Sequence, residues 1–168
     1  MFSFKIKQFF NKLETKYKNK KLIKKYPFLK VAETTDYTWM DSIPIGWHKV
    51  AFKYFDKIMI LLKAKNKVHI LQLFDVKEKY GSLRINSYIN FYCTRKDDID
   101  LHNKIEEILL ELEHETWKTC IHCGKPAKYE TVGWITPICE KCMEEESLEY
   151  PNIEYKKWED WSNGQSLE

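Results

Sequence analysis

Tyr80-Gly81-Ser82-Leu83-Arg84-Ile85-Asn86-Ser87-Tyr88-Ile89-Asn90-Phe91-Tyr92-Cys93 alternates residue by residue. Leu83, Ile85, Ser87, Ile89, Phe91 and Cys93 fall on one side. Arg84, Asn86, Tyr88, Asn90 and Tyr92 fall on the other. A period of two marks a strand with one buried face. Upstream, Val68 to Lys77 reads as a second strand, with Val68, Ile70, Gln72 and Phe74 opposite His69, Leu71, Leu73 and Asp75. Both of its faces are largely apolar, which suits a central or covered strand. Tyr80-Gly81-Ser82 is the turn between them, and Gly81 is expected at positive φ.

Further upstream, Asp41-Ser42-Ile43-Pro44 reads as a helix start. Asp41 or Ser42 can cap, and Pro44 suits a first turn. A helix from about Ile45 to Lys63 then places Trp47, Val50, Ala51, Tyr54, Ile58, Leu61 and Leu62 on one broad face. Ser3 to Lys25 reads as a basic helix carrying Phe4, Phe10, Leu13, Tyr17 and Leu22, ended by Pro27. Downstream, Lys96-Asp97-Asp98 opens a helix whose stripe is Ile105, Ile108, Leu109 and Leu112, running to about Trp117.

Beyond that helix stand Cys120-Ile121-His122-Cys123-Gly124 and Cys139-Glu140-Lys141-Cys142, with fifteen residues between the pairs. Two Cys-x-x-Cys pairs at this distance match a four-thiolate zinc site. Two intervening residues let one tight turn aim both sulfurs at a single ion, and Gly124 relieves that turn. A hairpin through Lys128 to Thr136 would return the chain, and Cys142 would begin a helix. Four cysteine ligands leave no open position, so the metal expected is structural zinc. His122 is expected as an exposed knuckle side chain. Cys93 ends the alternating strand on its apolar side, where an inert buried thiol is at home.

The expected fold is therefore α+β, with helices packed on a small antiparallel β-sheet and a C-terminal treble-clef or ribbon-like zinc module. The divisions are a basic N-terminal helix (1–27), an α+β core (28–118), a four-cysteine module (119–150) and an acidic aromatic tail (151–168).

The 168 residues are 43% hydrophobic and 15% aromatic, enough for a real core. The apolar run Ile58 to Leu62 stops at Lys63, far short of the roughly 20 residues a membrane span needs. No stretch reads as a signal peptide, so a cytoplasmic location is expected. Net charge is only +3, but residues 1–30 hold ten lysines against one acid, Glu14. Residues 143–168 hold eight acids against two lysines. Arg84 and Arg95 are the only arginines, which disfavours bidentate base reading. The lysine-rich helix can contact phosphate, an acidic membrane or an acidic protein, or be a solvated face. A zinc-containing nucleic-acid-binding protein using this helix is the alternative reading. Binding carried by Lys5, Lys7, Lys12, Lys16, Lys20 and Lys24 would be weak and non-specific.

No Gly-x-Ser-x-Gly, phosphate loop, His-Glu-x-x-His or deaminase signature occurs. A zinc-scaffolded nuclease would need a histidine between Cys123 and Cys139, and there is none. The chain is therefore read as non-enzymatic. The segment Val76 to Arg84 packs charge around the hairpin turn. Lys79, Tyr80, Arg84, Tyr88 and Tyr92 are the candidate partner-binding residues, since Tyr and Arg often dominate binding energy. The competing reading is a solvated turn with weak ion pairs.

Ile43-Pro44-Ile45-Gly46-Trp47, Val76-Lys77-Glu78-Lys79-Tyr80-Gly81-Ser82-Leu83-Arg84, the two Cys-x-x-Cys pairs and Gly133-Trp134-Ile135 occur in that order. In this the chain, from roughly Lys21 to Cys142, resembles a family of small uncharacterised proteins encoded in phages and prophages. The family carries no assigned activity. The resemblance implies a phage origin and residence in the host cytoplasm. By analogy with other small phage proteins, it suggests a partner that is a host protein, those of defence systems included.

Overall fold

Pro27 fixes where the first helix stops. In the computed structural model, which describes residues 15–32, 37–89 and 96–158, residues 15–25 form α1 and a 3-10 turn follows over Pro27–Leu29. The expected helix start at Ser3, and the packing of Phe4, Phe10 and Leu13, lie outside the described residues. So do Phe91, Tyr92 and Cys93.

The expected single start near Asp41 is replaced by two 3-10 turns, Trp39–Ser42 and Ile45–Trp47, before α2 (His48–Ala64). Asp41 does cap, but it caps the first turn. Its carboxylate accepts the backbone N–H of Thr38 at 2.7 Å and the side-chain amide of Asn19 at 3.0 Å. The buried side of α2 is Ala51, Tyr54, Phe55, Ile58, Met59 and Leu62. Val50 and Leu61 are only partly buried. Phe55 and Met59 take the centre because α2 is covered from two directions. Tyr26 and Phe28 pack edge-on against Phe55, at centroid distances of 6.0 and 5.6 Å. On another side Lys53 and Lys57 reach Glu115 and Glu111 of the next helix.

β1 (Leu71–Lys79) and β2 (Ser82–Ile89) pair antiparallel, from Leu71 opposite Ile89 to Lys79 opposite Ser82. Gly81 has φ +79° as expected, and Tyr80 also turns positive, at φ +52°. Two positive φ values in a two-residue loop match the twist of the paired strands. Leu83, Ile85 and Ile89 are buried, as the alternation requires. β1 departs from expectation. Val68 to Ile70 form a turn, and the strand begins at Leu71. The register shifts between Leu73 and Asp75, leaving Phe74 57% exposed while Leu71, Leu73 and Val76 share the buried face. The bulge inserts one residue and resets the alternation. Among the described residues the sheet has two strands, and β1 is not central in it. The apparent apolarity of both its faces comes from Val68 and Ile70, which lie in the preceding turn, and from the inserted Phe74. The indole of Trp39 donates to the Leu73 carbonyl at 3.2 Å and pins the bulge.

α3 (Lys96–Trp117) buries Leu101, Ile105, Leu109, Leu112 and Thr116 against β2 and α2. Thr116 accepts the backbone N–H of Leu83 at 3.0 Å and donates to the Glu113 carbonyl at 2.8 Å, which ties the helix to the edge of the hairpin.

The cysteine module contains β3 (Tyr129–Thr131), β4 (Pro137–Ile138), α4 (Glu140–Glu149) and β5 (Tyr155–Lys157). Its three-stranded sheet has the order β4-β3-β5. The hairpin that returns the chain is therefore present. α4 starts two residues earlier than the sequence suggests, with Cys139 as its N-cap. The segment after Pro151 is not merely a tail. Tyr155, Lys156 and Lys157 pair with Thr131, Glu130 and Tyr129, and the indole of Trp158 donates to Glu130 at 2.9 Å. Trp161 lies outside the described residues. Among the described residues no helix is long and apolar enough to cross a membrane.

Candidate metal centre

Each cysteine pair is aimed by its own local structure. In the first knuckle, Cys120 N–H donates to Lys125 O at 2.7 Å and Gly124 N–H to Cys120 O at 3.0 Å, closing a tight turn around Cys123. Gly124 has φ +75°, a conformation that side chains disfavour. The second pair opens α4, where Met143 N–H donates to Cys139 O at 2.9 Å. The sheet joins the pairs: Ile121 N–H donates to Pro137 O and Lys128 N–H to Ile138 O, each at 3.0 Å.

The four sulfurs of Cys120, Cys123, Cys139 and Cys142 all lie within 4.8 Å of one another. A tetrahedral ion bound through thiolates at about 2.3 Å would place its sulfurs about 3.8 Å apart. Cys123 and Cys139 have their sulfurs 3.5 Å apart, and all four cysteines are free. A disulfide needs about 2.05 Å, so the arrangement is that of a ligand set. Cys120 and Cys139 are buried, Cys142 is half-buried and Cys123 is exposed.

The thiols also compete electrostatically. Burial, and then hydrogen bonding with Cys123 and Cys139, push the Cys142 thiol far above its ordinary range. Burial raises Cys120 as well. Burial works against ionisation of Cys123 too, but the Lys125 backbone and the other three cysteines hold that thiol down to about 7. One thiolate, that of Cys123, is thus favoured while Cys120 and Cys142 are held protonated. Four thiolates at this spacing require a cation to offset their repulsion, and a divalent metal ion supplies it. The donor set and the spacing fit such an ion.

The first knuckle sits on the start of α2. Gly46 N–H donates to Ile121 O at 3.0 Å, and the buried indole of Trp47 donates to Thr119 O at 2.8 Å. Gly46 and Gly124 face each other so closely that a Cβ on Gly124 would lie 2.6 Å from the Gly46 carbonyl. The sequence reading, with a helix start at Asp41–Pro44 and a helix from about Ile45, does not reveal this contact. Its only signal is a glycine beside a tryptophan where a helix begins.

His122 is exposed, as expected, with Nε2 3.8 Å from Glu146. Of the five candidate partner-binding residues, Lys79, Tyr80 and Tyr88 are exposed. Arg84 is not free, because its guanidinium donates to Glu113 of α3 at 2.7 Å. Tyr88 lies opposite Gln72, hydrogen-bonds to it, and packs at 6.0 Å against Phe74. Phe74 belongs to this outward surface, and the bulge that places it there could not be foreseen from the alternation. Tyr92 lies outside the described residues.

Comparison with protein-family models, curated proteins and solved structures gives no match.

Proposed function

We propose that Cys120, Cys123, Cys139 and Cys142 hold one structural zinc ion in a non-enzymatic binding protein. We also propose that it is of the phage type, acting on a host protein. The observation that carries the metal reading is the mutual approach of four sulfurs within 4.8 Å. Soft thiolates in a tetrahedral S4 set favour zinc or iron–sulfur chemistry over hard cations. A set whose four positions are all filled by protein ligands suits a structural ion. The outward face of the hairpin supports the binding reading. Phe74 is 57% exposed and Tyr88 43% exposed, side by side on adjacent strands, and aromatic pairs of this kind anchor protein interfaces. Arg84 is held by Glu113 of α3 rather than acting as the free anchor expected from sequence.

Two measurements test the reading. Elemental analysis of the purified protein should find one zinc per chain, and a disulfide among these cysteines, or no metal, would refute it. Affinity capture from host lysate should be lost with Tyr88→Ala at an unchanged melting temperature. A large fall in melting temperature would make the face structural instead.

A further inference from the structure

The cysteine module and the turn ahead of α2 border a groove of about 560 Å³, walled by Ile45, Ile121, Val132, Trp134 and Ile153. None of the residues lining it belongs to the β1–β2 hairpin, so it is a surface separate from the Phe74–Tyr88 face. Ile45 is 70% exposed, Trp134 72% and Val132 57%. Large apolar side chains this open around one concavity mark an interaction surface. A pocket for a small molecule buries most of its ligand, whereas walls this exposed suit a longer partner laid along the groove. The walls are tied in place from both sides. Gly46 N–H donates to Ile121 O at 3.0 Å, and Thr131 N–H donates to Thr136 O at 3.2 Å across the loop that carries Trp134. A preformed groove spares a partner part of the ordering cost.

The charge around the groove selects the partner. Glu146 lines it, and its Oε2 accepts the Tyr155 hydroxyl at 3.0 Å, which fixes the carboxylate. His122 Nε2 stands 3.8 Å from Oε1, too far for a hydrogen bond. That oxygen can therefore accept from a partner's cation. Glu154 is exposed next to Val132, whose N–H its backbone carbonyl accepts at 2.8 Å. Between residues 140 and 154 the chain holds six glutamates against one lysine, Lys141. Among the described residues no lysine or arginine lines the groove. The local field attracts cations and disfavours acidic chains. Acids alone would select only counterions. Beside open apolar walls they select a chain that is cationic and apolar at once.

We propose that the groove beside Trp134 binds a basic, apolar peptide segment of a partner protein, with a large apolar side chain seated among Ile45, Val132 and Trp134 and a lysine or arginine on Glu146. The test pans a random heptapeptide display library against the full metal-containing chain. The most enriched peptide, labelled with fluorescein, is then titrated by anisotropy. Enriched sequences are expected to combine Phe, Trp, Leu or Ile with Lys or Arg and to lack Asp and Glu. Trp134→Ala should weaken binding at least about tenfold, Glu146→Gln by about two- to fivefold, and Tyr88→Ala not at all. Ile45→Ser provides a second groove variant should Trp134→Ala fold poorly. No enrichment, enriched peptides that are acidic or lack a basic residue, binding unchanged in a well-folded groove variant, or binding lost with Tyr88→Ala would each overturn the proposal. A wild-type chain that sediments as a dimer while Trp134→Ala sediments as a monomer would assign the groove to a second copy and overturn it as well.

Discussion

Replacing Gly46 by alanine tests whether the cysteine module is welded to the core through the start of α2. An ideal Cβ at Gly46 lies 2.3 Å from the Cys120 carbonyl oxygen and 2.5 Å from that of Ile121. Both obstacles are backbone, so no rotamer change relieves them. Gly46 is not among the glycines at positive φ, so alanine meets no backbone penalty and the cost is steric. Restoring a contact of 3.0 Å moves the knuckle away by about 0.7 Å, the difference between that floor and 2.3 Å. That motion stretches the Gly46 bond to Ile121, now 3.0 Å, and the Trp47 bond to Thr119, now 2.8 Å. Both would pass the useful limit of roughly 3.2 Å. Two weakened bonds, one of them leaving a buried indole unpaired, cost about 1–3 kcal/mol. Residual overpacking adds about 1–3 kcal/mol. The expected loss is about 2–6 kcal/mol, or roughly 4–24 °C in Tm for a chain of this length. Urea unfolding of the metal-loaded protein, followed by circular dichroism, measures it directly. Trp47→Phe, which removes the indole donor and also leaves a void at this fully buried position, should lose about 2–4 kcal/mol and serves should Gly46→Ala fail to fold. A Gly46→Ala variant within about 0.5 kcal/mol of wild type, the range of ordinary surface substitutions, would refute the coupling.

Cys123→Ser should abolish metal retention and unfold the cysteine module while leaving the β1–β2 hairpin partly protected; amide hydrogen exchange by segment reads this out. In the metal-free reduced protein, iodoacetamide should modify Cys123 with a midpoint near pH 7 while Cys142 stays unreactive there, as mass spectrometry would show. Because the folded value of Cys123, about 7, lies below its ordinary 9.0, the stability it contributes is complete above about pH 9. That stability is lost as pH falls through about 7. Thr116→Val should cost about 1–3 kcal/mol in urea unfolding, since it leaves the buried N–H of Leu83 without an acceptor. Trp134→Ala, at a 72% exposed position, should change stability by no more than about 0.5 kcal/mol.

Local chemistry made much of this molecule legible in one dimension. The period of two from Leu83 to Ile89 set the buried face of β2, because a strand's side chains must alternate. The helix from Lys96 to Trp117 followed from acids at its start and a stripe at helical spacing. The doubled Cys-x-x-Cys gave the four residues whose sulfurs converge, since knuckle geometry is built from adjacent residues. Other features were decided only when distant segments met. The bulge at Phe74 depends on Trp39 reaching the Leu73 carbonyl. Arg84 is tied down by a glutamate 29 residues away. β5 exists because β3 offers it a free edge, not because three residues after a proline prefer to be extended. The docking of Gly46 against the first knuckle joins residues more than seventy positions apart, as the Trp47 bond to Thr119 does. A contact between distant segments leaves no period in the sequence, because it is chosen by whichever surfaces the packed elements leave facing each other.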